Sequence, residues 1–519
     1  VSEAPDAPLP DGPADAALRA EGRAARWVAL TGAVPTAALL AVIGQWVWDD
    51  AELIRDHLAG MGISEVLGLW TTPVGGGDVG GGYYRPLAMS LLVLVGHLGP
   101  AAGHLLSAAL HAGSTLLVHR LLRGRPGALA GTLAFSLHPL AAEVLGWISA
   151  LPDALALFFG LASVWVARRG LLLSGILLWL GMMSKETAVL LLPAALVAGL
   201  VPPRALWAWA AAVGVALAQR GLAGVGASWS IAGKLGFVPL ALCWPLSSMI
   251  VPWPLTAVRD LWVAPAWVLP VGLLVLAVAL SLAMRDRLAR GGLLLLVGGP
   301  LLALPPTLHG YLAAERYAYP SLVGLALIVA SVRPRLPAIP RAAWPLLLLG
   351  PLLQLRAAAA WSSDERLFTA ATEALPESGY AWHLRGMVSL IAAAPGPLVL
   401  GTAGGAAPRC DPAQSRGDWE DAASAFGRAL ETAHPHPMDR SLRLQSLVEA
   451  CQFPEALALA RAGPTAGLTA ADVAWWARAA AGAGEAEEAL RVVRALKVSG
   501  GWDGPPWVPE LAFRLGVDR

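Results

Sequence analysis

Residues 27–48 read WVALTGAVPTAALLAVIGQWVW and stop at Asp49–Asp50. No charged side chain interrupts the run, and a helix needs only about 20 apolar residues to cross the hydrocarbon of a bilayer. Arg19, Arg23 and Arg26 stand before it. Basic flanks stay in the cytoplasm, so the run is expected to cross outward and deliver Asp49 and Asp50 to the far side, with Trp46 and Trp48 anchoring at the interface. Residues 1–26, rich in Pro, Ala and Asp at their start, are expected to form a disordered cytoplasmic tail.

The same apolar texture continues to about residue 360. Of 519 residues, 56% are hydrophobic and 14% charged, against about 25% charged in an average soluble domain. Mean hydropathy is +0.60. These values exclude a soluble enzyme, a disordered chain and an electrostatic binder of nucleic acid, and leave a polytopic membrane protein. The 37 basic and 36 acidic residues cancel to +1, so net charge identifies no partner. Three cysteines, Cys243, Cys410 and Cys451, are expected to make neither a disulfide framework nor a zinc site. The preference for Arg over Lys, with much Ala, has the look of GC-rich bacterial coding, hence a multi-pass protein of the bacterial inner membrane.

Apolar run length and Arg placement predict about eleven spans: 27–47, 101–119, 126–143, 152–167, 170–183, 187–201, 205–219, 264–283, 292–309, 318–332 and 343–360. Residues 87–99, between Pro86 and Pro100, are too short to cross. Were they to cross, Arg120, Arg123 and Arg125 would land outside. They are expected to form an interfacial helix in an outer loop, 48–100. The same parity keeps 221–262 on the outer face. The predicted fold is all-α: a transmembrane helical bundle over 27–360, then a periplasmic domain over 361–519.

That last region repeats. Asp421–Ala422, Glu455–Ala456 and Glu488–Ala489 each open a similar helical pattern. The spacing of about 34 residues is the tetratricopeptide (TPR) period, in which paired helices stack because one repeat cannot bury its own face. A TPR-like α-solenoid is expected, with a generic Ala-rich bundle as the alternative and a Pro/Gly-rich loop inserted at 395–417.

Ionisable groups are costly near a membrane and face a cavity or a partner. Asp49 and Asp50 are candidates for a general base, or for holding a divalent cation if one is used; the plain alternative is two carboxylates ending a helix in water. Arg85, after a Gly-rich stretch (75–82), suits a lipid phosphate or a snorkelling anchor. His138, Glu143 and Asp153 flank the turn from the third to the fourth span, and Lys185–Glu186 lie between two short spans as a ligand site or a structural ion pair. Glu315 and Arg316 mark a further outer turn. By the predicted topology all of these lie at one membrane face, around an outer-facing polar cavity.

The motifs "WDDAELI…YYRPL", "LAFSLHPLAAEVLGWIS…DAL", "MMSKETAVLLLP" and "AERYAYPSL", in that order and followed by TPR-like repeats, resemble the transmembrane and TPR-repeat O-mannosyltransferases and their bacterial relatives, within the GT-C glycosyltransferase superfamily. The resemblance implies a polyprenyl-phosphate-linked sugar donor and an acidic catalytic residue in the first outer loop. Asp49 is then the catalytic candidate, with Asp50 its companion. Arg85, Lys185 and Arg316 would hold the lipid phosphate. One departure stands out: the family's Gly-Arg-Ala-Asp is Ala150-Leu151-Pro152-Asp153 here, so the acid stays and the arginine is lost.

The expected function is transfer of a sugar, mannose by resemblance, from that carrier to an acceptor hydroxyl at the extracytoplasmic face. The acceptor, a protein or an envelope glycan, would be bound by the repeat domain. Cofactor use is left open at a divalent cation, and no nucleic acid is involved. A non-catalytic membrane scaffold displaying its repeat domain is the alternative. A secondary transporter fits less well, because the chain shows no internal duplication and its charges gather at one face.

Overall fold

The computed structural model describes residues 13–74, 84–224, 234–254, 256–332, 344–393, 416–462 and 469–498. The Gly-rich stretch 75–82 and residues 395–415 of the expected inserted loop lie outside the described residues. The chain divides into two compact units, Val1–Leu367 and Phe368–Arg519. The first therefore keeps Trp361 and the start of the next helix, which the sequence assigned to the repeat domain.

Helices dominate both units. In the first, helix formation begins at Pro13 and runs to Ile43, so residues 13–26 are not a disordered tail. Leu, Ala and Arg are strong helix formers and carry the helix back through the basic stretch. Five described helices are long and apolar enough to cross a membrane: Arg23–Ile43, Pro100–Leu122, Ile148–Val166, Ala205–Leu222 and Arg287–Gly310. Ala128–Ser136 and Pro139–Gly146 make a sixth if counted as one span bent by 48° at His138–Pro139. Five shorter apolar helices lie among the remaining expected spans and loops. The count by length is thus about half of the eleven expected, because several apolar runs are broken by Gly, Pro or polar turns before reaching spanning length.

Many apolar side chains remain exposed, including Leu222 at 89%, Val42 at 84% and Trp207 at 81%. A soluble bundle would bury such residues; a lipid-facing surface would not. Internal packing uses small residues instead. A Cβ placed on Gly324 would lie 2.5 Å from the Gly292 carbonyl oxygen, and one on Gly292 would lie 2.7 Å from that of Gly324. The Arg287–Leu302 and Tyr319–Ser331 helices meet at this glycine pair, as close-packed membrane helices do. Ser321 Oγ donates across the same seam to the Leu295 and Leu296 carbonyls.

The Pro86–Leu98 helix has the 13 residues expected of a non-crossing element, about 20 Å at 1.5 Å per residue. Gly99, at φ +90°, turns the chain, and Pro100 opens the next helix at a position where no N–H is needed. Among the described residues the only strands are Arg259–Asp260 and Leu312–Ala313, antiparallel with Arg259 opposite Ala313.

The second unit is built of helix hairpins. Asp439–Glu449 is followed by Phe453–Ala462, and Ala470–Gly482 by Ala486–Val498. Their turns match residue for residue at an offset of 33. Gln452 N–H donates to Leu447 O at 2.8 Å, and Glu485 N–H to Ala480 O at 2.9 Å. Cys451 and Gly484 both take positive φ, +62° and +84°. The expected repeat starts at Glu455 and Glu488 fall in the second helix of each hairpin. Buried Trp475, Ala456 and Ala489 share one core with Leu447 and Val448. Cys451 is disulfide-bonded while Cys243 is a free, buried thiol; with three cysteines in the chain this is at most one bridge, short of the framework the sequence excluded.

Candidate functional site

A cavity of about 230 Å³ lies within the first unit, and six of the predicted residues line it: Asp49, Arg85, Asp153, Lys185, Glu186 and Arg316. They arrive from five separate segments. Asp49 sits in the turn between the Pro13–Ile43 helix and a π-helical turn, Ala51–Leu58. Arg85 precedes the Pro86–Leu98 helix, and Asp153 is in the first turn of Leu151–Val166. Lys185 and Glu186 occupy the break after Leu171–Ser184, and Arg316 lies in the 3₁₀ turn Glu315–Ala318. Such breaks place backbone and charge in a cavity instead of in lipid.

The cations come with carboxylates. Lys185 Nζ lies 2.7 Å from both oxygens of Asp153, and the pair is almost wholly buried. Arg316 Nη1 is 2.5 Å from Glu143 Oε1, and its backbone N–H donates to Oε2. Glu143 is thus a buried support for Arg316 and not a wall of the cavity. Arg85 Nη2 is 3.3 Å from Glu186 Oε1, with Arg220 3.9 Å from the other oxygen.

Asp49 differs. Among the described residues no Lys or Arg nitrogen comes within 4 Å of it. Its Oδ1 accepts the Trp147 indole N–H at 3.0 Å, and the residue is exposed into the cavity. Enclosure by protein raises its pKa above the ordinary carboxylate range, opposed by the Trp147 bond and the Arg316 charge.

The sequence reading missed what holds Asp49. Trp48, Trp147 and Trp361 stack with ring centroids 5.4, 6.3 and 5.9 Å apart. Trp48 takes φ +61°, a left-handed conformation that is strained for a bulky side chain. Its N–H donates to Asp364 Oδ1 at 2.5 Å. Arg316 lies over the Trp147 ring at 4.4 Å, so the same indole touches both acid and cation. These tryptophans read from sequence as interface anchors or were passed over, since nothing local marks a stack formed across 300 residues.

Besides Glu143, three predicted residues are not brought to the cavity. Asp50 is wholly buried. It accepts from Ser149 N–H at 2.7 Å, Ser149 Oγ–H at 2.6 Å, Ile148 N–H at 3.3 Å and Val47 N–H at 3.4 Å. Burial pushes its pKa up to about 7, the Asp49 charge adding to the rise and the Ser149 and Val47 donors opposing it. Asp50 ties the Asp49 turn to the Trp147–Ser149 turn. With donors facing both its oxygens, a divalent ion shared with Asp49 does not fit. His138 is engaged at both ring nitrogens, one with the Met249 carbonyl and one with Leu140 N–H. Glu315 pairs with buried Arg259 at 2.5 Å. Arg259 was not singled out in sequence because its segment read as an outer-face connection.

No protein-family model, no curated protein and no solved structure matches the chain.

Proposed function

We propose that the chain is an integral-membrane glycosyltransferase of GT-C type that moves a sugar from a polyprenyl-phosphate carrier to an acceptor hydroxyl. Asp49 is the base. One observation carries this reading: Asp49 is a carboxylate open to the cavity and free of any ion pair with a described residue, while Asp153 and Glu186, the other carboxylates lining it, are matched to cations. As the acceptor oxygen attacks the anomeric carbon, Asp49 takes its proton. The bond from the anomeric carbon to the phosphate oxygen breaks, and polyprenyl phosphate leaves. Arg85, Lys185 and Arg316 line the cavity to receive that charge, sharing their positive charge between the leaving phosphate and their own carboxylates. Inversion at the anomeric carbon follows from direct displacement. On this reading Leu171–Ser184, Glu186–Val197 and Val268–Ala283 also cross while Pro86–Leu98 and Leu235–Ser248 stay at the outer face, the path approaches eleven spans, and the C-terminal hairpins are TPR repeats that bind the acceptor. A disulfide at Cys451 supports an extracytoplasmic second unit, because such bonds persist in oxidising compartments.

The test is transfer from polyprenyl-phosphate mannose to envelope protein acceptors by the purified chain. Asp49→Asn should lower the rate by about 10²–10⁴-fold, the span for a lost general base, with donor binding retained. Full activity in that variant removes Asp49 from the mechanism.

A second reading, a non-catalytic scaffold, is favoured by Leu151, which is fully buried where the resembled family carries arginine. Failure of the purified chain to bind polyprenyl-phosphate mannose would select it.

A further inference from the structure

The second unit holds a cluster that the transferase reading does not use. His383 lies on the Gly379–Ala393 helix, Asp439 opens the Asp439–Glu449 helix, and His436 sits in the turn before it. One ligand-capable atom from each lies within 4.8 Å of the other two. Asp439 is fully buried, His383 nearly so, and His436 is half-buried. The imidazole rings are 4.0 Å apart between centroids. His383 Nδ1 is 2.7 Å from Asp439 Oδ1, and Asp439 Oδ2 accepts the His436 backbone N–H at 2.7 Å.

We propose that His383, His436 and Asp439 bind a divalent transition-metal ion of zinc type, with three protein ligands and an open fourth position. A buried His–Asp pair explains two of these residues as structure, but does not require a second imidazole drawn against the first. Two imidazoles and one carboxylate are ligands of borderline softness, suited to Zn²⁺ and its neighbours; Ca²⁺ and Mg²⁺ take oxygen ligands in larger number. Metal–ligand bonds of about 2.1 Å in tetrahedral geometry put ligand atoms about 3.4 Å apart. The ion would therefore open the His383–Asp439 contact by about 0.7 Å and draw the widest-spaced ligand atoms inward. The Asp439 carboxylate is already oriented by a backbone N–H, as ligating carboxylates commonly are. Binding would clamp two helices of the array together and so stabilise the folded form.

The experiment uses the full-length, tag-free chain in detergent, stripped of metal, with Co²⁺ as spectroscopic probe and Zn²⁺ as competitor. One Co²⁺ per chain should give the visible bands of a low-symmetry, roughly tetrahedral site, displaced by Zn²⁺. Zn²⁺ should also raise the thermal midpoint. His436→Gln removes a ligand but leaves the His383–Asp439 bond and the backbone turn. It should leave the metal-free midpoint unchanged while weakening Co²⁺ binding by more than the 10–100-fold typical of outer-shell losses. His383→Gln should weaken Co²⁺ binding likewise, and also lower the metal-free midpoint because it removes the His383–Asp439 bond. No Co²⁺ bands in the wild type, or equal bands in His436→Gln, overturns the proposal.

Discussion

Lys185 and Asp153 separate structural from chemical need inside the cavity. The ammonium meets both carboxylate oxygens at 2.7 Å, with side chains 7% and 4% exposed. Replacing Lys185 by Met keeps the stem of the side chain, removes the ammonium and leaves Asp153 enclosed without its cation. Breaking a buried pair from one side costs about 3–5 kcal/mol, whereas replacing both partners by apolar residues of similar volume is near neutral. Lys185→Met should therefore shift the folding equilibrium by about two to three and a half orders of magnitude, at a factor of ten per 1.4 kcal/mol. Lys185→Met with Asp153→Leu should recover most of that loss. The readout is the fraction of chain remaining monodisperse after graded heating in detergent, for wild type, both single variants and the double. Transfer activity is measured on the same four samples. If the pair is only structural, the double variant regains stability and activity together. If it receives the leaving phosphate, stability returns and activity does not. A single Lys185→Met variant as heat-resistant as wild type would refute the reasoning, since an enclosed carboxylate cannot lose its partner without cost.

Two further outcomes follow from named contacts. Trp147→Phe keeps a ring in the stack but removes the N–H that Asp49 accepts. That bond favours the ionised form, so its loss should raise the Asp49 pKa further. A base works when ionised, so the acid limb of the rate profile should move to higher pH; an unmoved limb means Asp49 is not the titrating group. Cys451 should resist alkylation in cell envelopes until reductant is added, whereas a readily alkylated Cys451 would place the second unit in a reducing compartment.

What was legible in the sequence was charge against an apolar ground. Asp49, Arg85, Asp153, Lys185, Glu186 and Arg316 stand out because each is expensive where it lies, and the structure brings all six to one cavity. Rarity alone does not say which groups face the cavity and which stand behind it. Asp50 neighbours Asp49 in sequence, yet its side chain points into four donors. Glu143 and Glu315 were visible as costly, but their partners Arg316 and Arg259 are set by tertiary packing. The repeat period was readable at Glu455 and Glu488, since each hairpin solves the same burial problem. The His383–His436–Asp439 cluster was not, because His383 stands more than fifty residues before the other two and meets them only when the helices stack.

The strain around Asp49 distinguishes its two readings. A carboxylate that merely ends a helix in water needs no support: it would extend from the interface, and an ordinary backbone would serve. Here the residue before it is a tryptophan held at φ +61°, tied through its N–H to Asp364 and stacked on two further indoles. The residue after it is buried and anchors to the Trp147–Ser149 turn. Bulky side chains stay in the left-handed region only where their surroundings over-determine them, at a cost of about 1–3 kcal/mol. None of this improves the solvation of Asp49; its enclosure moves the pKa the wrong way for a carboxylate placed only to be ionised. What the arrangement does improve is position. It fixes one oxygen against the Trp147 N–H, leaves the carboxylate open to the cavity, and sets Arg316 over the same indole ring. A fixed base near a fixed cation, in a cavity that limits water, suits proton transfer coupled to departure of an anion.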